Sequence, residues 1–290
     1  MEGYRSIWKF LFGTSFRHDW IDVNGVRTRF LEAGRRDAPP VILLHGTAGT
    51  LENFSPNIAE YAKHFHVFAI DMVGCGFTAK PDYPYEIPVY VDHVRGFIDV
   101  MGITRTSFVG VSLGSWISAR FAVTYRGRVE KIVMIAPAGI ITDPVVFKQV
   151  ADGIRARRTR GVEDPSWDNI KRILENLMLD PKNVIDDLVA VRLAAYQRPE
   201  MKAAMPHALA MLSGDNSLSE NEWRELDTPI LVIDAIDHPD MFLTNGRRIV
   251  ELAPRARAVQ IPGCNHWAQF ENAAAFNKAS IEFLRETPME

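Results

Sequence analysis

What most constrains the fold of this chain is a rhythm. Short apolar, β-branched runs recur along it, namely PPVILLHG, HVFAID, TSFVGVS, EKIVMIAPA, PILVID and RAVQIPG, most of them separated by stretches with helical spacing. Runs that are apolar at successive positions, and not only at alternate ones, suit strands buried on both faces, as in a parallel sheet covered by helices. Ahead of them, WIDVNGVRTRFLEAG alternates around Asn24-Gly25. That dipeptide suits the positive φ angles of a tight hairpin turn, so two antiparallel strands are expected to open the sheet. The expected class is α/β, with a mostly parallel eight-stranded sheet and helices on both faces. Catalytic groups in such a sheet sit on loops at the carboxyl ends of strands.

Between Gly139 and about Arg224 the pattern becomes helical and charged, through VVFKQVADGIRARRTRG, WDNIKRILENLML, NVIDDLVAVRLAAYQ and MKAAMPHALAML. Strand signals resume at Pro229. The chain therefore divides into a first core part (1–138, with an N-terminal arm), a helical insertion (139–224) and a second core part (225–290). Within the insertion, Arg155, Arg157, Arg158 and Arg160 form a basic cluster that could attract an anionic substrate; it reads as a solvated helix face. The sequence holds no internal repeat or low-complexity tract.

Composition removes several classes of function. The 290 residues are 47% hydrophobic, ample for a core, and the formal net charge of -3 gives no basic excess for nucleic acid. The two cysteines, Cys75 and Cys264, provide neither a disulfide framework nor metal-ligand spacing and lean towards a reducing, cytoplasmic setting. Neither a metal nor an organic cofactor is implied; the spaced glycines of DMVGCGFT follow a strand and do not make a phosphate loop. The N-terminal stretch MEGYRSIWKFLFGTSFRHDW lacks a signal-peptide cleavage site, and no run of about 18 apolar residues predicts a membrane span. Its first 17 residues are expected to form a short helix packed on the body or on a neighbouring subunit.

The chemistry begins at FVGVSLGSW, which sets Gly110-Val111-Ser112-Leu113-Gly114 between a strand and a helix. This is the context of a nucleophile elbow, where glycines permit a sharp turn and the helix directs its N-terminal amides towards the serine. A serine hydroxyl is a weak nucleophile without a base, so a histidine must reach it. Of the eight histidines, His266 in RAVQIPGCNHWAQFE lies just past the last expected strand, at the sheet edge that carries Ser112. The backbone amides of Leu113 and of Thr47, in LLHGTAG, are the candidate oxyanion donors. His45 in that loop reads as structural.

These residues resemble the α/β-hydrolase superfamily along nearly the whole chain: LLHG, DMVGCGFT, GVSLG, a helical cap, and PGCNHWAQFE. Within it they are most similar to the meta-cleavage product hydrolases, which cut a carbon–carbon bond in ring-opened products of aromatic catabolism. CNHWAQFE is similar to that family's histidine motif, PSWDNIKRILENLMLD to its cap, and VAVRLAAYQRPE places Arg192 where the family keeps a substrate-contacting arginine. The resemblance implies a small, aromatic-derived substrate bordered by Arg192, Trp267, Gly46 and Val111. With the apolar arm, it is also compatible with a homodimer. Two positions depart from the pattern: HGTAGT stands for a glycine-rich HGGGPGA-like loop, and Val111 for an asparagine before the nucleophile. Carboxylester or lactone hydrolysis is the competing activity, and a ligand-binding homologue without turnover is a third.

The triad acid is the open point. The resemblance implies that it follows a late strand, and VMIAPAG, the other place the fold uses, holds no carboxylate. VIDAIDHPDMF must then supply it. Register puts Asp237 one position early, His238 at the usual aspartate and Asp240 two positions late. Asp240, followed by Met-Phe-Leu-Thr, stands ahead of Asp237, and His238 is third because a neutral imidazole would not stabilise an imidazolium. Asp234 alternates into the sheet packing.

Overall fold

A computed structural model describes residues 5–237 and 239–287. Eight strands form one sheet: β1 (Phe16–Val23), β2 (Val26–Ala33), β3 (Pro40–Leu44), β4 (His66–Ile70), β5 (Thr106–Val111), β6 (Val129–Ile135), β7 (Ile230–Ala235) and β8 (Ala256–Ile261). Their order is β1-β2-β4-β3-β5-β6-β7-β8, antiparallel from β1 to β4 and parallel thereafter. The β1–β2 hairpin turns at Asn24 (φ 52°) and Gly25 (φ 84°), the positive pair that Asn-Gly adopts at low cost. Central β5 is buried at every position, which explains its unbroken apolar run.

Helices cover both faces. The main-body helices are α1 (Ile7–Leu11), α2 (Ser55–Ala62), α3 (Ile87–Val100) and α4 (Leu113–Thr124) before the insertion, then α10 (Met241–Leu252), α11 (Ala268–Glu271) and α12 (Ala273–Arg285) after it. α3 packs on α4, and α2 on α12. The chain leaves β3 towards β4 on one side and β5 on the other, so the order reverses there and opens a crevice at the strands' carboxyl ends. In the N-terminal arm, α1 packs on α2, and Ser6 both caps α1 and donates to Asp187.

Between β6 and β7 the described residues form no strand. This stretch holds α5 (Pro144–Glu163), α6 (Trp167–Glu175), α7 (Asp186–Tyr196), α8 (Pro199–Ala208) and α9 (Glu220–Glu225). Asp143 starts α5 by accepting from the amides of Val145 and Val146, with Pro144 at the first helical position. Three of these helices meet at Gly161. A Cβ there would lie 2.7 Å from Ile173 Cδ1 on α6 and 3.1 Å from the Tyr196 ring on α7. No helix among the described residues is long and apolar enough to cross a membrane.

Candidate active site

Ser112 sits where β5 becomes α4, at φ 53° and ψ -108°, a backbone region that costs a non-glycine residue about 1–3 kcal/mol. The flanking glycines make the turn sterically feasible. A Cβ on Gly114 would fall 2.1 Å from the Leu44 carbonyl oxygen, and one on Gly110 would fall 2.3 Å from the Gly114 carbonyl carbon. Hydrogen bonds hold the turn: the Ser112 amide donates to Ile135 O at 2.8 Å, and the Ser115 hydroxyl donates to Gly110 O at 2.7 Å. Leu113 opens α4, and its amide comes too early in the helix to find an intrahelical acceptor. Leu113 and Thr47 both line the apolar side of the crevice next to Ser112.

His266 follows β8. Its ring packs edge-on against Phe242, with centroids 4.5 Å apart. The loop bearing it is tied down by Glu271, whose carboxylate accepts from the Asn265 amide at 2.8 Å and from the Leu179 amide at 2.8 Å. One carboxylate thus links the histidine loop to the helices between β6 and β7.

Asp240 and His266 line the same cavity as Ser112. The Asp240 carboxylate also accepts from the Leu243 amide at 2.9 Å, capping α10. Asp237 is exposed and accepts from the Gly263 amide at 2.6 Å, bracing the turn before the histidine loop. Asp234 is buried and pairs with Arg247 at 3.6 Å, so an ion pair anchors it against the sheet. His238 lies outside the described residues.

Beneath the site, His45 is fully buried. The Met72 amide donates to its Nε2 at 3.1 Å, so Nδ1 carries the proton and donates to Gly46 O at 2.7 Å. Burial lowers its pKa to about 4. A neutral imidazole with both nitrogens committed to backbone is a loop brace. Asp71 braces the same region, accepting from the amides of Leu51 (2.7 Å) and Phe77 (2.8 Å) and from Arg29 Nη1 (3.1 Å).

The cavity over Ser112 measures about 170 Å³. Its wall includes Gly46, Thr47, Trp267 and Arg192. Val111 is fully buried in β5 and does not line it. Arg192 is 2% exposed. Its Nη2 donates to Asn53 Oδ1 at 3.3 Å, while Nε and Nη1 have no hydrogen-bond partner among the described residues. Burial, with Arg158 nearby, pulls its pKa below the ordinary guanidinium value.

The basic cluster on α5 requires a correction. Arg155, Arg157 and Arg160 are exposed, but Arg158 is 8% exposed, and both it and Arg157 line the cavity. The signal was periodicity: Ala151, Ile154, Arg158, Gly161 and Val162 recur at helical spacing, which places Arg158 on the buried face. Asn53, Phe242 and Asn265 also line the cavity and are absent from the sequence expectations; Phe242 and Asn265 lie in the segments around Asp240 and His266, whereas nothing in the local sequence marks Asn53.

The family model for the alpha/beta hydrolase fold matches residues 39–273. A 2-hydroxymuconate semialdehyde hydrolase of Pseudomonas sp. (strain CF600) is 30% identical over 270 residues, covering 90% of this chain and 92% of that protein. A 2-hydroxy-6-oxo-2,4-heptadienoate hydrolase of Pseudomonas putida is 27% identical over 268 residues, covering 90% and 93%. Among solved structures, a meta-cleavage product hydrolase from Pseudomonas fluorescens IP01 superposes with a TM-score of 0.76 at 27% identity, covering 91% of this chain and 96% of that one.

Proposed function

The chain belongs to the alpha/beta hydrolase fold family and is a hydrolase, and from that premise we propose that it cleaves a carbon–carbon bond in a dienol-ketone of the meta-cleavage product type. The supporting observation is one cavity that gathers Ser112, His266, Asp240 and a buried arginine without a counter-ion among the described residues. The relatives it resembles are named for hydrolysing such compounds.

Hydrolysis adds water across the cleaved bond. The hydroxyl ends on the acyl carbon, giving a carboxylic acid, and a proton ends on the departing carbon. That carbon leaves with the bonding electron pair, so the substrate must offer a conjugated carbonyl to delocalise it; a dienol protonated at carbon does so. His266 carries the protons, with Ser112 beside it. Asp240, ahead of Asp237, orients the imidazole and stabilises its charged form. The Leu113 and Thr47 amides face the oxygen of the attacked carbonyl, each such donor contributing about 3 kcal/mol in the transition state. Arg192 offers a rigid fork of donors to the carboxylate and enolate oxygens. Trp267 and Gly46 shape the wall. Residues 139–224 act as a cap over a core built from 1–138 and 225–290. The exposed side chains of Trp8 (54%) and Phe12 (74%) support a homodimer formed through the arm. Cytoplasmic aromatic catabolism fits two buried, unpaired cysteines.

Purified protein should bleach the dienolate absorbance of such a substrate while releasing a carboxylic acid, and Ser112→Ala should lose at least about 10³-fold in kcat. Turnover of simple aryl esters alone would refute the reading. It would favour ester or lactone hydrolysis through an acyl-enzyme on Ser112, the alternative suggested by the HGTAGT loop, where Ala48 takes φ 50°.

A further inference from the structure

Three guanidinium groups line the cavity over Ser112: Arg192 from α7, and Arg157 and Arg158 from α5. Arg192 and Arg158 are buried, whereas Arg157 stands exposed at the rim. The two buried groups flank one tyrosine. Arg158 Nη1 donates to the Tyr196 hydroxyl at 3.5 Å, and the Arg192 guanidinium carbon lies 5.9 Å from the centre of the Tyr196 ring. None of the three forms an ion pair among the described residues, whereas Arg155 on the same helix pairs with Asp152 at 3.0 Å. Asp240 is the sole carboxylate on the cavity wall among the described residues, and it also caps α10.

Three positive charges therefore face one negative charge, an excess of two. Buried cations that repel one another are costly to assemble without an anion. Burial lowers the Arg192 pKa first, Tyr196 opposes the shift, and the neighbouring Arg158 lowers it further. Substrate oxygens gathered on Arg192 and Asn53 leave Arg158 and Arg157 on the cavity wall without an anion of their own. Val150 and Ile154 of α5 and Ile173 and Leu177 of the α6 region supply the apolar wall beside these charges.

We propose that Arg158, with Arg157 at the rim, forms a second anion subsite, and that the substrate is a dicarboxylate with an apolar middle, one carboxylate seated on Arg192 and the other on Arg158. The inference rests on the cavity being the active site, and it adds a substrate class to the reaction proposed above.

Two measurements separate this inference from the reaction. In the Ser112→Ala protein, calorimetric titration with dicarboxylates from succinate to suberate should show at least about tenfold tighter binding than monocarboxylates of the same length. Arg158→Gln should abolish that preference and Arg158→Lys should retain part of it. Arg157→Gln, at an exposed position that does not threaten the fold, should weaken it. Arg155→Gln should leave it intact, and melting curves verify that each variant folds. Equal binding of the two ligand classes by the Ser112→Ala protein overturns the subsite, as does a preference that survives Arg158→Gln. The second measurement compares turnover of two dienol-ketones identical at the cleaved bond, one ending in a carboxylate and one in a primary amide. Absence of turnover with a persisting binding preference sinks the reaction and leaves the subsite; turnover of both at equal kcat/KM sinks the subsite and leaves the reaction.

Discussion

Two carboxylates within four residues of one another compete to orient His266, and their surroundings differ in kind. Asp240 reaches the cavity and caps α10, whereas Asp237 is exposed and spends an oxygen on the Gly263 amide. Asparagine separates charge from capping, because it caps helices about as well as aspartate. Asp240→Asn should therefore leave the melting temperature nearly unchanged and cost about 10³ to 10⁴-fold in kcat, the cost of losing the group that fixes tautomer and stabilises imidazolium. Asp237→Asn should stay within a few-fold. Steady-state kinetics on both variants decides it, and the reverse ranking would reassign the acid. This ambiguity arose because a strand register counts residues, while the loop after β7 does not follow the count. Arg158 was hidden for another reason: a charged residue on a helix is expected in water, and only its spacing from Ala151 and Ile154 placed it inside.

At the scale of elements, the sheet was legible because a strand buried on both faces has no choice but an apolar run. All eight runs became strands, and the Asn24-Gly25 turn joined the first two. Contacts between elements were less legible, since they depend on small residues whose neighbours lie far away in sequence. Gly114 is one. It lets α4 approach β3 so closely that an added Cβ would meet Leu44 O at 2.1 Å, a backbone atom that cannot rotate away. Gly114→Ala must push the helix off the strand or twist the Ser112 turn. Overpacking of this kind costs about 2 kcal/mol, or about 5 °C in melting temperature. Calorimetry should show that loss together with a reduced kcat, since the displaced element carries the nucleophile. An unchanged melting temperature would mean that α4 does not depend on this close approach.

Across the whole molecule, two buried neutral histidines join the crevice loops to the body. His45 braces the loop after β3 against the Met72 amide. His93, on α3, accepts from the Val73 amide at 3.3 Å and donates through Nε2 to the Thr28 hydroxyl at 2.8 Å on β2. Burial is the first cause of both lowered pKa values, about 4 for His45 and about 3 for His93. Arg192 adds to the effect on His45, Glu52 opposes it, and His45 adds to the effect on His93. In the unfolded chain each titrates near about 6.5. Below that pH the unfolded state binds protons that the folded state refuses, so stability is intact above about pH 6.5 and falls as the pH drops towards the folded values. The expected slope approaches about 1.4 kcal/mol per pH unit per histidine, a total on the order of 3 kcal/mol for His45 and about 5 kcal/mol for His93. Denaturant unfolding between pH 7 and pH 5 should show this decline while most carboxylates stay ionised. His93→Gln, which cannot protonate in that range, should start from a lower stability yet decline less steeply. A slope identical to that of the wild type would mean that the acid sensitivity of the fold comes from other groups.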